Sequence, residues 1–178
     1  MGIYLFAIYM NDISSPNWGD RDNVSLSNDI KSDLQEISRI GQSKGLKKMA
    51  QEVINLDEYT YKGQGTGRIV ASSTKFPKDT VVKIAKPGKE FYNRNESSNY
   101  AIAESSIKPY LTPSLGTHGR QGKWLFAVEC DEANRKTVNK IKKVLDNNGI
   151  RYDEREIVKP NLGVYNGSPC IIDYDNLF

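Results

Sequence analysis

Histidine is almost missing from this sequence, His118 being the single instance. A Ser/His/Asp or Cys/His relay would rest entirely on that one residue, so hydrolase chemistry of this kind is set aside. Cysteine is nearly as scarce. Cys130 and Cys170 lie too far apart along the chain for a zinc-ligand spacing, and two are too few for a disulfide framework. Cys170 falls in an apolar run, where a thiol acts as a small hydrophobe. The default setting is reducing and intracellular, that is, cytoplasmic. Long hydrophobic runs are lacking as well. The run Ile3 to Met10 is far too short to span a bilayer, and it has neither a basic segment before it nor a small-residue cleavage site after it; it reads as a buried strand. Nor does one sign of charge prevail. The net charge is +3, and bases alternate with acids instead of gathering, which points away from a nucleic-acid partner and gives no sign of a membrane one.

What is present suits one domain with a small appendage: 178 residues, 38% of them hydrophobic and 26% charged. Residues 11–26, rich in Asn, Asp, Ser, Pro and Gly, read as a connecting loop. From about Ser27 the period is helical. Ile30, Leu34, Ile37 and Ile40 share a face, and Gly41 is the expected stop. Leu46, Met49, Val53 and Ile54 mark a second short helix after Gly45. These stripes read as scaffold.

From Tyr59 the period becomes strand-like. Tyr59 and Tyr61 lead into Gly63-Gln64-Gly65-Thr66-Gly67, and Arg68 to Ser72 leaves it; Phe76 to Asp79 is a turn and Thr80 to Ala85 the next strand. A polar stretch from Lys89 to Asn99 precedes a helix expected around Ser97 to Lys108. Trp124 to Glu129 is another strand. A helix carrying Val138, Ile141, Val144 and Leu145 on one face ends at Gly149. Two last strands, Leu162 to Tyr165 and Cys170 to Asp173, surround Asn166-Gly167, a pair suited to a type I′ turn. The expected class is α+β, with an antiparallel sheet, in two parts: residues 1–57, a strand plus helical extension, and residues 58–178, the core.

The chemistry gathers in that core. A glycine-rich loop between strands lets backbone N–H groups approach phosphate oxygens, and Gly63, Gly65 and Gly67, with Val70 following, form such a loop. Lys83 sits one strand downstream, where its ammonium can face phosphates if a carboxylate orients it, and Glu96 at the start of the next helix is the candidate. Asn161 and Asp173 flank the last hairpin. Two oxygen ligands of this kind suit Mg²⁺, which completes its shell with phosphate and water.

In this order and spacing, residues 59–173 resemble the protein-kinase-like superfamily, above all its small divergent members in viruses and archaea. Gly63-x-Gly65-x-x-Arg68-x-Val70 is similar to the glycine loop G-x-G-x-x-G-x-V, its third glycine displaced to Gly67, and Val81-Val82-Lys83 is similar to V-A-I-K. Glu96 stands where the helix glutamate falls, and Trp124 to Glu129 where a strand runs into the hinge that meets adenine. Glu156 to Asn161 keeps the spacing of the catalytic loop, and Asp173 takes the place of the D-F-G aspartate. The resemblance implies an N-lobe sheet with its C helix, a hinge, one further helix and a catalytic-loop-like hairpin. It implies ATP bound by Gly63, Gly65, Gly67, Val70, Lys83, Glu96 and Glu129, Mg²⁺ held by Asn161 and Asp173, and catalysis by Glu156 and Lys83.

The departures bear on activity. Glu156 replaces the aspartate base, and a displacement near 1 Å can cost about 100-fold in rate. Only one substantial helix fits between Glu129 and Asn161, and the sequence holds no activation loop, A-P-E segment or helical lobe for a peptide. Three functions follow: a pseudokinase-like ATP-binding module serving a protein partner or host target, a minimal phosphotransferase for a small molecule or host protein, and a structural or inhibitory protein working through residues 1–57.

Overall fold

Strand Thr80–Ala85 is buried along its whole length, and the molecule is organised around its two faces. The computed structural model describes residues 13–177, so the strand expected over Ile3 to Met10 lies outside the described residues. Helices α1 (Asn28–Lys44) and α2 (Leu46–Asn55) precede strands β1 (Tyr59–Gln64), β2 (Arg68–Ser73) and β3 (Thr80–Ala85). Helix α3 (Phe91–Ile102), strands β4 (Ser114–His118) and β5 (Trp124–Val128) and the two-residue β6 (Asp131–Glu132) follow. Helix α4 (Arg135–Asn147) and the hairpin β7 (Leu162–Tyr165) and β8 (Ser168–Ile171) complete the order. The class is α+β. Five antiparallel strands run β1-β2-β3-β5-β4, and a smaller antiparallel sheet runs β6-β7-β8. No helix among the described residues is long and apolar enough to cross a membrane.

Side chains alternate across a strand, so β3 divides its own residues between two environments. Val82 and Ile84 enter a core with Ile30, Leu34, Ile37, Met49 and Val53 from α1 and α2, each fully buried aliphatic side chain contributing about 1.5–3 kcal/mol. Val81 and Lys83 face the other way. Their neighbours by register are Ala127 on β5 and Val70 on β2. A second core, built from Ile141, Val144, Leu145, Ile157, Leu162, Ile171 and Tyr174, joins α4 to the small sheet.

Three local expectations change. Helix α1 runs through Gly41 instead of stopping there: a Cβ at Gly41 would lie 2.2 Å from the Met49 sulfur, so this glycine admits α2 at close range. The chain turns at Gly45, with φ of 76°. Helix α3 begins at Phe91 and ends at Ile102, well before Lys108. Its anchors are polar, which hid it from a search for apolar stripes: the wholly buried Asn93 amide donates to the carbonyls of Lys83, Gly122 and Lys123 at 3.1, 3.0 and 3.0 Å. Strand β4 went unread because it is a short edge strand with one buried residue, Leu115, and a register shift over Gly116.

Elsewhere local chemistry determines the outcome. Asn134 caps α4, accepting from the backbone N–H groups of Lys136 and Thr137 at 2.8 and 3.1 Å, while Thr137 accepts from the Asn134 N–H. Asn166 and Gly167 both hold positive φ, 48° and 81°, as a type I′ turn requires.

Candidate functional site

Between the two cores lies a cavity of about 770 Å³. Its upper wall is one face of the large sheet, Arg68, Val70, Val81, Lys83 and Ala127, brought together because β2, β3 and β5 pair in register. Its lower wall holds Asn161, Leu162, Ile172 and Asp173 from around the β7–β8 hairpin. Glu129 to Ala133 closes one side, and the β1–β2 loop, through Gly63, Gln64 and Gly65, closes another. Val70, Val81, Ala127 and Leu162 make part of the lining apolar, and Arg68, Lys83 and Asp173 make another part charged.

Lys83 is buried, and its Nζ meets Glu96 Oε1 at 2.5 Å and also donates to the carbonyl of Ile172. Glu96 is wholly buried on α3. The pairing expected from spacing therefore occurs, with Glu96 in the second turn of α3 instead of at its start. Glu96 has a second cation, because Arg68 Nη1 donates to its Oε2 at 2.7 Å. Arg68 Nη1 also reaches Asn93 Oδ1 at 3.3 Å, its Nη2 reaches Asp173 Oδ1 at 2.6 Å, and the guanidinium lies 5.7 Å from the Tyr92 ring centre. Asp175 Oδ1 stands 3.8 Å away.

The segment carrying Asp173 is fixed on several sides. The N–H groups of Ile172 and Asp173 both donate to the carbonyl of Asn161, at 2.8 and 3.2 Å. Tyr174, buried in the lower core, donates its hydroxyl to the carbonyl of Thr112 at 2.6 Å, and Asn99 of α3 donates to the carbonyl of Tyr174 at 2.8 Å. Burial opposes ionisation of Asp173, yet the charges of Lys83 and Arg68 prevail and hold its carboxyl down at about 2. Burial raises Asp175, and the adjacent Asp173 adds to it; together they outweigh the Arg68 charge and lift that carboxyl to about 7. The Arg68 guanidinium is held above its ordinary value: burial disfavours its charge, and Glu96, Asp173 and Asp175 outweigh that.

The remaining candidates divide. Gly63 and Gly65 border the cavity, and nothing lies within 4 Å of where a Cβ would stand. Gly67 does not border it; a Cβ there would meet the Tyr92 ring at 2.6 Å, so its role is packing. Glu129 borders the cavity and pairs with Lys62 at 2.5 Å, while its backbone N–H donates to the carbonyl of Asp79. Glu156 lies outside the lining but accepts from Asn161 Nδ2 at 3.1 Å. Cys130 and Cys170, remote in sequence, approach to 3.4 Å as free thiols, since Cys170 is paired with Gly163 in the small sheet beneath Cys130.

Sequence reasoning missed Arg68 and Asp175 as site residues. The signal for Arg68 was its parity: it is two residues before Val70, and so on the same face as Lys83. Against the expected groups, an adenine nucleotide suits this cavity in volume, in its apolar walls and in the presence of Lys83 and Arg68 at one end. Mg²⁺ does not fit the arrangement described, because Asp173 Oδ1 is engaged by the buried Arg68 guanidinium, a fixed positive charge beside the place a cation would take. Among the described residues no group of three or more His, Cys, Asp or Glu side chains gathers as a metal site. Comparison with protein-family models and with curated proteins gives no match for the chain.

Proposed function

We propose that this chain is a nucleotide-binding module of the protein-kinase-like type, with β1–β5 and α3 as its N-lobe, Glu129 to Ala133 as its hinge and the β7–β8 hairpin as a reduced catalytic loop. The observation that carries this reading is the buried Lys83–Glu96 pair at the back of a cavity bordered by Gly63, Gly65, Asn161 and Asp173. The ligand class is ATP: its base lies between the aliphatic side chains of Val70, Val81 and Leu162, and its phosphates lie towards Lys83. Lys83 supplies positive charge held in place by Glu96, so little reorganisation is needed when an anion arrives.

The module works by binding, in the manner of a pseudokinase, and the Arg68–Asp173 ion pair at 2.6 Å, which engages the carboxylate a transferring site would give to a metal, supports that role. A minimal phosphotransferase is the second reading, favoured by one contact. Asn161 Nδ2 donates to the Glu156 carboxylate at 3.1 Å, which puts a proton acceptor beside the cavity floor.

A thermal-shift titration with ATP separates ligand binding from its absence, since a ligand of the native state alone raises the melting temperature by mass action. ATP raises it in the wild type and not in Lys83→Ala; no shift in the wild type contradicts the proposal. ATP turnover in the wild type that disappears in Glu156→Gln would promote the second reading over the first.

A further inference from the structure

We propose that the cavity takes its nucleotide without a divalent cation, the guanidinium of Arg68 filling the place such a cation would hold beside Asp173. This rests on the nucleotide reading and concerns the chemistry of the same site. A divalent cation held between an aspartate and phosphates needs carboxylate oxygens free of competing partners. In Asp173, Oδ1 is 2.6 Å from Arg68 Nη2, so a fixed cation already neutralises this carboxylate.

Arg68 is not a loose side chain that would yield to a metal. Its side chain is 7% exposed, and it is fastened to Glu96 at 2.7 Å and Asn93 at 3.3 Å. Moving it aside would leave a buried guanidinium without its carboxylates and would leave Lys83 as the sole cation on Glu96. A metal seated next to it would meet a fixed positive charge instead. A triphosphate gains from the same arrangement. Lys83 and Arg68 both border the cavity, and the guanidinium stands between incoming phosphate oxygens and the Asp173 charge that would repel them. The screening that a kinase-like site draws from a metal ion is here part of the polypeptide, supplied by a residue at the position where the glycine loop departs from its usual pattern.

The test is isothermal titration of ATP into the full chain, once in EDTA and once in excess MgCl₂. The expected dissociation constants agree within about threefold. Binding that is weaker by about tenfold or more in EDTA overturns the inference while leaving the nucleotide reading intact. No binding in either buffer overturns both. Two variants sharpen the result. Asp173→Asn, which deletes the carboxylate a metal would need, is expected to leave the ratio of the two dissociation constants near one; affinity that falls in MgCl₂ alone overturns the inference. Arg68→Ala is expected to bind only with Mg²⁺, and undiminished binding in EDTA overturns it. If Arg68→Ala does not fold, Asp173→Asn carries the test. As a readout independent of nucleotide, Mn²⁺ titrated into the wild type and followed by electron paramagnetic resonance is expected to remain free, and stoichiometric Mn²⁺ binding lost in Asp173→Asn contradicts the proposal.

Discussion

Arg68 Nη2 and Asp173 Oδ1 meet at 2.6 Å although 105 residues separate them in the chain. Through this contact the second strand of the large sheet is joined to the segment following the last hairpin. Glu96 extends the link to Lys83 and to α3. Four charged side chains thus connect the two cores across the end of the cavity, and the stability of the fold depends on the same groups that would receive an anion.

Glu96 is the member whose loss is least compensated. Truncating it to alanine leaves two buried cations, Lys83 and Arg68, facing each other, and removal of one partner from a buried ion pair costs about 3–5 kcal/mol. Lys83→Ala costs less, because Arg68 still neutralises Glu96. Urea unfolding of the two variants checks the order; equal losses would show that Arg68 does not share the carboxylate.

Stability should also depend on pH through Asp175. Its carboxyl, raised to about 7 in the folded chain, keeps a proton that the unfolded chain releases near pH 4. Stability from this group is therefore full below about pH 4 and is lost as pH rises towards 7. Asp173 acts in the opposite sense: held at about 2, it stabilises above the ordinary carboxylate range, and that contribution is lost as pH falls towards 2. Asp175→Asn keeps a hydrogen-bond donor to Asp173 without the charge. It is expected to remove the decline between about pH 4 and 7 and to exceed the wild type by on the order of 4 kcal/mol at about pH 8. Urea unfolding across this range measures it, and parallel curves for the two proteins would refute the assignment.

The loop glycines separate into two kinds. Gly67→Ala forces a methyl group against the Tyr92 ring and is expected to cost about 1–3 kcal/mol. Gly65→Ala meets nothing within 4 Å and should change stability by no more than about 0.5 kcal/mol. Thermal unfolding of both decides it. Equal destabilisation would mean that the loop has a single structural role.

Much of the scaffold was legible because it follows from local rules. The stripes of α1, α2 and α4, the β-branched runs of β2 and β3 and the Asn166-Gly167 turn each depend on residues a few positions apart. Helix α3 was placed too late in the chain because its buried face is polar: Asn93 and Glu96 are satisfied by carbonyls and cations from other strands, which no local period records. Gly41 was taken for a helix stop when its function is to admit Met49. In the site, the Lys83–Glu96 pair was expected from the order of the two residues and from the resemblance that order carries. Arg68 was not, since what distinguishes it is the convergence of Asn93, Glu96, Asp173 and Asp175 from two separate parts of the chain. The meeting of Cys130 and Cys170 escaped notice for the same reason, their forty-residue separation being closed by the small sheet.

The most direct test of the account asks whether the space between the two cores is the nucleotide site. A fluorescent ATP analogue titrated into the wild type, and then into Val81→Phe, asks this without altering any charged group, because the phenylalanine ring fills the apolar end of the cavity. The account predicts saturable binding in the wild type that unlabelled ATP displaces, and its loss in Val81→Phe at unchanged folding by circular dichroism. Absence of saturable binding in the wild type, or equal affinity in Val81→Phe, would contradict it.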